Sequence, residues 1–219
     1  MSWNCYWCKE STIPLSQIQV HNDTTSDTLV YVGTDNSSVY LVFRGTDNIQ
    51  NWLFNIHVMQ VPLMEFSLVE VHIGFLADFM LFQSLLEPYM RYLTDIVCPQ
   101  CPVYITGHSL GGALASLSSV VMQHIWDPPI QSSFIEYTFG SPRVGNSYFS
   151  DLHQQTTPVS YRVVNKKDVV PHVPPYYFPP PYHHVAREVW YLPDTIDYKE
   201  CDGSGEDGTC SYSLSIVDT

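Results

Sequence analysis

Apolar and polar positions alternate along this chain with two different periods. Two β-rich runs come early, residues 29–33 and 38–44, separated by the turn-forming Thr34-Asp35-Asn36-Ser37, and they predict a hairpin. From 75 to 93 the period changes. Phe75, Phe79, Phe82, Leu86, Tyr89 and Leu93 recur at three- and four-residue steps, the spacing of one helix face, with Pro88 predicting a kink. Beyond it the pattern predicts a short strand over 103–106, a helix rich in small residues over 110–122, a strand over 134–139 and another over 161–165. Strand and helix in alternation imply an α/β fold with a mostly parallel central sheet flanked by helices. The proline-rich stretch 171–181 reads as a rigid surface loop, and no internal repeat, linker or low-complexity tract divides the chain.

Composition narrows the function. A length of 219 residues with 45% apolar content is accounted for by one domain over 1–219. Nine Lys plus Arg against 22 Asp plus Glu give a formal charge of −13, which repels nucleic acid and anionic membrane surfaces. The longest apolar-rich stretch, 73–93, is interrupted by Asp78, Gln83, Glu87 and Arg91, so it does not read as a transmembrane segment. Six cysteines fall as three close pairs, Cys5 with Cys8, Cys98 with Cys101 and Cys201 with Cys210. Local disulfides explain that spacing better than zinc or a redox dithiol and point to a secreted protein. The opening residues 1–8 nevertheless lack the basic and apolar regions of a signal peptide.

The chemistry concentrates at Gly107-His108-Ser109-Leu110-Gly111-Gly112. A G-x-S-x-G sequence arises by chance in roughly one chain in ten of this length, so its context has to decide. Here it falls between a predicted strand and a predicted helix, where a serine forced into a sharp turn projects its hydroxyl outwards and the flanking positions have no room for a Cβ. A helix-capping serine is the alternative. A serine nucleophile needs a histidine to take its proton and a carboxylate to orient that histidine. The leading carboxylate is Asp168, directly after the strand predicted to end at Asn165 and ahead of Asp151, Asp194 and Asp197.

The sequence resembles the class 3, or fungal-type, lipases of the α/β-hydrolase superfamily. The resemblance runs from about Leu29 to the C-terminus. It rests on ordered blocks: Val42-Phe43-Arg44-Gly45-Thr46, Asn51-Trp52, His72-Ile73-Gly74-Phe75, 106–113, 139–146, Asp168-Val169-Val170-Pro171, and Tyr182-His183-His184 leading to Glu188 and Trp190. It implies Ser109 as nucleophile, Asp168 as the acid of the triad, and an oxyanion hole formed by the Leu110 N–H and the Thr46 hydroxyl. The segment 47–55 resembles the family's amphipathic lid, with Ile49, Trp52, Leu53 and Phe54 covering the site; core burial of Trp52 is the competing reading.

One member departs from the pattern. The family's catalytic histidine lies well beyond the acid, after a segment that resembles Cys201 to Thr219, whereas the last histidine here is His184, sixteen positions after Asp168 and in the context of a histidine outside the triad. The expectation is therefore a chain that stops short of the catalytic histidine, which the resemblance places shortly beyond Thr219, with His184 or His183 as a weaker base and His172 weaker still. His108 reads as a packed core histidine and His72 as the start of the long helix. The acidic loop 202–207 lacks the ligand spacing of a calcium loop and reads as a solvated hairpin, so no metal and no cofactor are assigned. The expected reaction is hydrolysis of a lipid or other apolar ester at a lipid–water interface, through an acyl-enzyme on Ser109. A catalytically inactive module that binds lipid or carbohydrate is the alternative.

Overall fold

The computed structural model describes residues 15–214 apart from 24–27, 36, 57, 178 and 186, and of Phe54 and Asn55 it describes the backbone. Cys5 and Cys8 lie outside the described residues, and so does Thr219, the position beyond which the catalytic histidine is expected. The predicted hairpin forms: β1 (Ser16–Asp23) precedes β2 (Thr28–Thr34) and β3 (Val39–Arg44), and β2 and β3 pair antiparallel from Leu29↔Arg44 to Thr34↔Val39. The turn closes because Asp35 Oδ1 accepts the N–H groups of Ser37 and Ser38 at 3.0 and 2.9 Å. Strand β1 is not evident in the apolar pattern because Ser-Gln-Ile-Gln-Val-His-Asn-Asp carries few apolar residues, as suits the edge strand it is.

A short helix α1 (Ile49–Asn55) and a separate hairpin of β4 (Gln60–Leu63) and β5 (Phe66–His72) follow. His72 then caps α2 (Ile73–Arg91), its Nδ1 accepting the N–H groups of Gly74 and Phe75. Phe75, Phe79, Phe82, Leu86 and Met90 are buried along α2, each contributing roughly 1.5–3 kcal/mol of transfer free energy. Pro88 does not end α2. Four residues after Leu86, Met90 rather than Tyr89 takes the inward position, and after Arg91 the chain widens into a π-turn, Tyr92–Val97, within which Leu93 is buried. The Cys98–Cys101 disulfide closes the segment that follows.

The predicted β6 (Val103–His108), α3 (Leu110–His124), β7 (Phe134–Phe139) and β8 (Val159–Asn165) follow, with α4 (Ser147–Thr156) between β7 and β8 and two further strands, β9 (Glu188–Tyr191) and β10 (Tyr198–Glu200), that the apolar pattern did not predict. Among the described residues the main sheet has eight strands, in the order β1-β2-β3-β6-β7-β8-β9-β10. Strands β3, β6, β7, β8 and β9 are parallel neighbours, and the outer pairs are antiparallel. Helix α3 is buried from Leu110 to Met122 and packs on β3, β6 and β7 and against α2 and α4. Its glycines, alanines and serines permit that close approach, and Ser118 and Ser119 satisfy their hydroxyls on the Ala115 and Ser116 carbonyls.

Two loops depart from the sequence expectation. The start of the proline-rich stretch is no surface loop: Val170, Pro171 and His172 form a buried 3-10 turn, and Pro174 is buried after it. Nor is the acidic loop 202–207 simply solvated. Bounded by the Cys201–Cys210 disulfide, it sends Glu206 inward to meet Arg143 in a two-pronged ion pair, with Nε and Nη2 at 2.8 and 2.7 Å from the carboxylate oxygens. Arg162 of β8, also buried, pairs with Glu188 of β9 at 2.8 Å. Among the described residues no helix is long and apolar enough to cross a membrane.

Candidate active site

The elbow is built by steric exclusion. Ser109 stands between β6 and α3 at φ 56° and ψ −126°, a left-handed conformation that a non-glycine residue adopts at a cost. A Cβ at Gly107 would come within 2.1 Å of the Gly111 carbonyl oxygen, and one at Gly111 within 2.3 Å of the Phe43 oxygen. Only glycine at both positions lets α3 start this close to β3 and β6. The Ser109 side chain is 1% exposed, and among the described residues its Oγ has no hydrogen-bond partner.

The flanking groups arrive from the carboxyl ends of the neighbouring parallel strands, where ligands bind in open α/β sheets. Past the end of β3, a Cβ at Gly45 would lie 3.2 Å from Ser109 Cβ, which brings the adjacent Thr46 to the elbow. Thr46 Oγ1 accepts the Asn48 N–H at 3.2 Å, a bond that uses a lone pair and not the hydroxyl proton. Leu110 opens α3, so its N–H is one of those that a helix cannot satisfy internally. Past the end of β8, Asp168 is half-buried and its Oδ1 accepts the Val170 N–H at 3.0 Å. Past the end of β7, Gly140 has φ 55°, and a Cβ there would lie 2.5 Å from Asp168 Oδ2 and 3.7 Å from His108 Nε2. Gly140 therefore makes room for the carboxylate beside the elbow. Sequence reasoning missed that role, although a glycine directly after the strand at Phe139 was its signal.

The histidines are placed less simply. His184 is buried, and its Nε2 meets the Pro171 carbonyl, so that nitrogen carries the proton. Burial, reinforced by Arg162 and Arg143, holds its pKa well below the ordinary imidazole value, and the ring stays neutral. Its backbone is tied as well, the N–H to Glu206 and the carbonyl to Ser150 Oγ and His183 Nδ1. His172 is also buried, with its pKa lowered by burial and by Arg143, and its Nε2 has no partner among the described residues. Neither histidine is hydrogen-bonded to Ser109. His108 is a correction: its position at the exposed end of β6 puts it in solvent rather than in the core. Glu188, Cys201 and Cys210 come together, but the two sulfurs are bonded to each other and offer no thiolate to a metal.

Helix α1 covers the resembling lid segment. Asn48 caps it by accepting the Asn51 N–H, Gln50 and Asn51 face solvent, and Ile49, Trp52 and Leu53 are half-buried. Trp52 stacks on Phe75 with ring centroids 6.2 Å apart and planes 14° from parallel. The Phe54 side chain lies outside the described residues.

This arrangement of strand, serine elbow and carboxylate has counterparts. Residues 40–178 match the model of the lipase (class 3) family. The chain belongs to that family. A lipase of Rhizomucor miehei is 31% identical over 97% of this chain and 58% of its own length. A secreted mono- and diacylglycerol lipase of Fusarium solani is 33% identical over 71% of this chain and 46% of its own. The chain thus spans about half the length of the curated relatives it matches. Among solved structures, the triacylglyceride lipase of Rhizomucor miehei superposes with a TM-score of 0.85 at 29% identity, covering 99% of this chain and 83% of the other. The fold is accordingly the α/β-hydrolase fold of the fungal lipases.

Proposed function

We propose that this lipase-family chain supplies the nucleophile, acid and oxyanion hole of a serine esterase that hydrolyses carboxylic esters of acylglycerols through an acyl-enzyme on Ser109. The observation that carries this reading is the elbow: a buried, strained serine flanked two residues away on each side by positions, Gly107 and Gly111, that have no room for a Cβ. In the first step Ser109 Oγ attacks the ester carbonyl, its proton passes to a base, and the oxyanion is met by the Leu110 N–H and the Thr46 hydroxyl. Asp168 orients the base and stabilises its charged form. The adduct then collapses, the ester C–O bond breaks and the alcohol leaves with the proton that the base returns; water repeats the sequence on the acyl-enzyme, releasing the acid and restoring Ser109. The base is a histidine: the family resemblance implies one that follows Asp168 by more than His184 does, and His184 is the alternative within the described residues, where its use requires Nε2 to leave the Pro171 carbonyl. Helix α1 acts as the lid, with Ile49, Trp52 and Leu53 turning from the core to a lipid–water interface. The disulfides Cys98–Cys101 and Cys201–Cys210, together with a relative named as secreted, support an exported protein.

The test is capture by a fluorophosphonate probe, which needs an activated serine. The chain, its Ser109→Ala and His184→Ala variants, and the full-length parent protein are compared. Labelling that Ser109→Ala abolishes and His184→Ala spares supports a base from elsewhere, and loss in a folded His184→Ala protein assigns the base to His184. A parent protein that the probe never labels would sink the esterase reading and favour an inactive lipid- or carbohydrate-binding module.

A further inference from the structure

A cavity of about 540 Å³ opens between the end of β5, the start of α4 and the 175–183 loop. Neither Ser109, Thr46 nor Asp168 lines it. Its walls are Tyr148, Tyr176, Tyr177, Tyr182, Pro181 and Glu70. The volume falls in the range of small-molecule sites. Two of the rings stand largely in water, Tyr148 at 52% and Tyr177 at 78% exposure. Tyr176 is held edge-on to Tyr177 and to His183, with centroids 4.9 and 5.8 Å away and planes at 67° in both cases. Tyr148 and Tyr177 are thus the rings with surface free for a ligand, whereas Tyr182 is 1% exposed.

Glu70 decides what such a hollow would hold. It is half-buried, and among the described residues its carboxylate has neither a hydrogen bond nor an ion pair. It lies close enough to the buried Tyr182 to help raise that phenol's pKa, after the larger effect of burial. Among the described residues no lysine or arginine lines the cavity. Several of the polar groups around it are already engaged. Asn146 accepts the N–H groups of Glu70 and Phe149 and donates to the Leu68 carbonyl, the Tyr182 hydroxyl donates to the Met59 carbonyl, and His183 Nδ1 donates to the His184 carbonyl. A cation without N–H groups, which needs ring faces and one countercharge, finds both.

We propose that this cavity binds a quaternary ammonium group, with the tyrosine faces around its methyl groups and Glu70 as the countercharge. The ligand is either the trimethylammonium of a choline lipid headgroup or a free choline-like solute. Binding there requires nothing of Ser109, so a binding defect and an esterase defect are read separately.

Titration calorimetry of the chain with choline chloride, at constant ionic strength, is compared with the neutral carbon isostere dimethylbutanol. Choline should bind with a Kd on the order of 1–10 mM and the isostere at least about tenfold more weakly. Tyr177→Ala and Glu70→Gln should each weaken choline about fivefold, and Tyr148→Ala, at a second exposed ring, repeats the test where either variant unfolds. No saturation up to about 100 mM, equal binding of the isostere, or unchanged affinity in the folded variants would overturn the proposal. Flotation with phosphatidylcholine against phosphatidylglycerol vesicles separates the two sources. Retention on phosphatidylcholine that Tyr177→Ala removes assigns a lipid headgroup, and choline binding without vesicle retention assigns a free solute.

Discussion

Removing the charge of Glu206 should unfasten the acidic loop from the sheet. Arg143 and Glu206 are 2% and 8% exposed at their side chains. The guanidinium also donates Nη1 to the Pro174 carbonyl and lies over the Tyr212 ring at 5.7 Å. Glu206→Gln keeps the shape and one acceptor but leaves Arg143 charged in a site that water does not reach. Breaking a buried pair from one side costs about 3–5 kcal/mol, and the retained acceptor places this variant near the lower end. For a domain of this size that is a fall in Tm of about 6–12 °C. The effect should depend on pH. Burial pushes the Glu206 carboxyl up, but the bonds and charge of Arg143, with the His184 N–H, outweigh it and hold the pKa below its ordinary 4.5. A carboxylate with a depressed folded-state pKa contributes stability that is present above the unfolded value and lost as pH falls through the folded one. The gap between parent and variant should therefore be wide at pH 7 and close below 4.5, where a protonated glutamic acid resembles glutamine. Urea unfolding at both pH values, followed by tryptophan fluorescence, measures it. A gap at pH 7 under about 1 kcal/mol, the worth of an exposed ion pair, or one that does not change with pH, would refute the reasoning. Converting the pair to Arg143→Met with Glu206→Leu should recover part of the loss.

Three further outcomes are expected. Ser109→Gly should gain about 1 kcal/mol of stability by releasing the left-handed strain, while Ser109→Ala, which keeps the Cβ, should stay within about 0.5; equal denaturation midpoints would contradict this. Gly111→Ala should cost about 3 kcal/mol or more, because its Cβ meets the Phe43 backbone rather than a movable side chain; an unchanged melting curve would show that α3 can retreat from β3. Thr46→Val should lower kcat about a hundredfold on a soluble ester with KM nearly constant, and an unaltered kcat would remove Thr46 from the oxyanion hole.

Much of this protein was legible in the chain because its chemistry is local. The hairpin around Asp35, the helix face from Phe75 and the strand, serine and helix at 103–122 each depend on residues a few positions apart, which is the range over which periodicity and glycine sterics act. Asp168 could be singled out because a loop after a parallel strand must emerge at the sheet's carboxyl edge. Tertiary structure decided the rest, since it depends on groups far apart in sequence. Polar β1 becomes a strand only with β2 beside it. The acidic loop looked solvated until folding carried Glu206 to Arg143, 63 positions away. The environments of His108 and His184 were not legible for the same reason, because neither a strand's exposed end nor a carbonyl from Pro171 is written in the neighbouring residues. The tyrosine-lined cavity is likewise invisible in the chain, because Glu70, Tyr148 and Tyr177 meet only when β5, α4 and a distant loop are packed together.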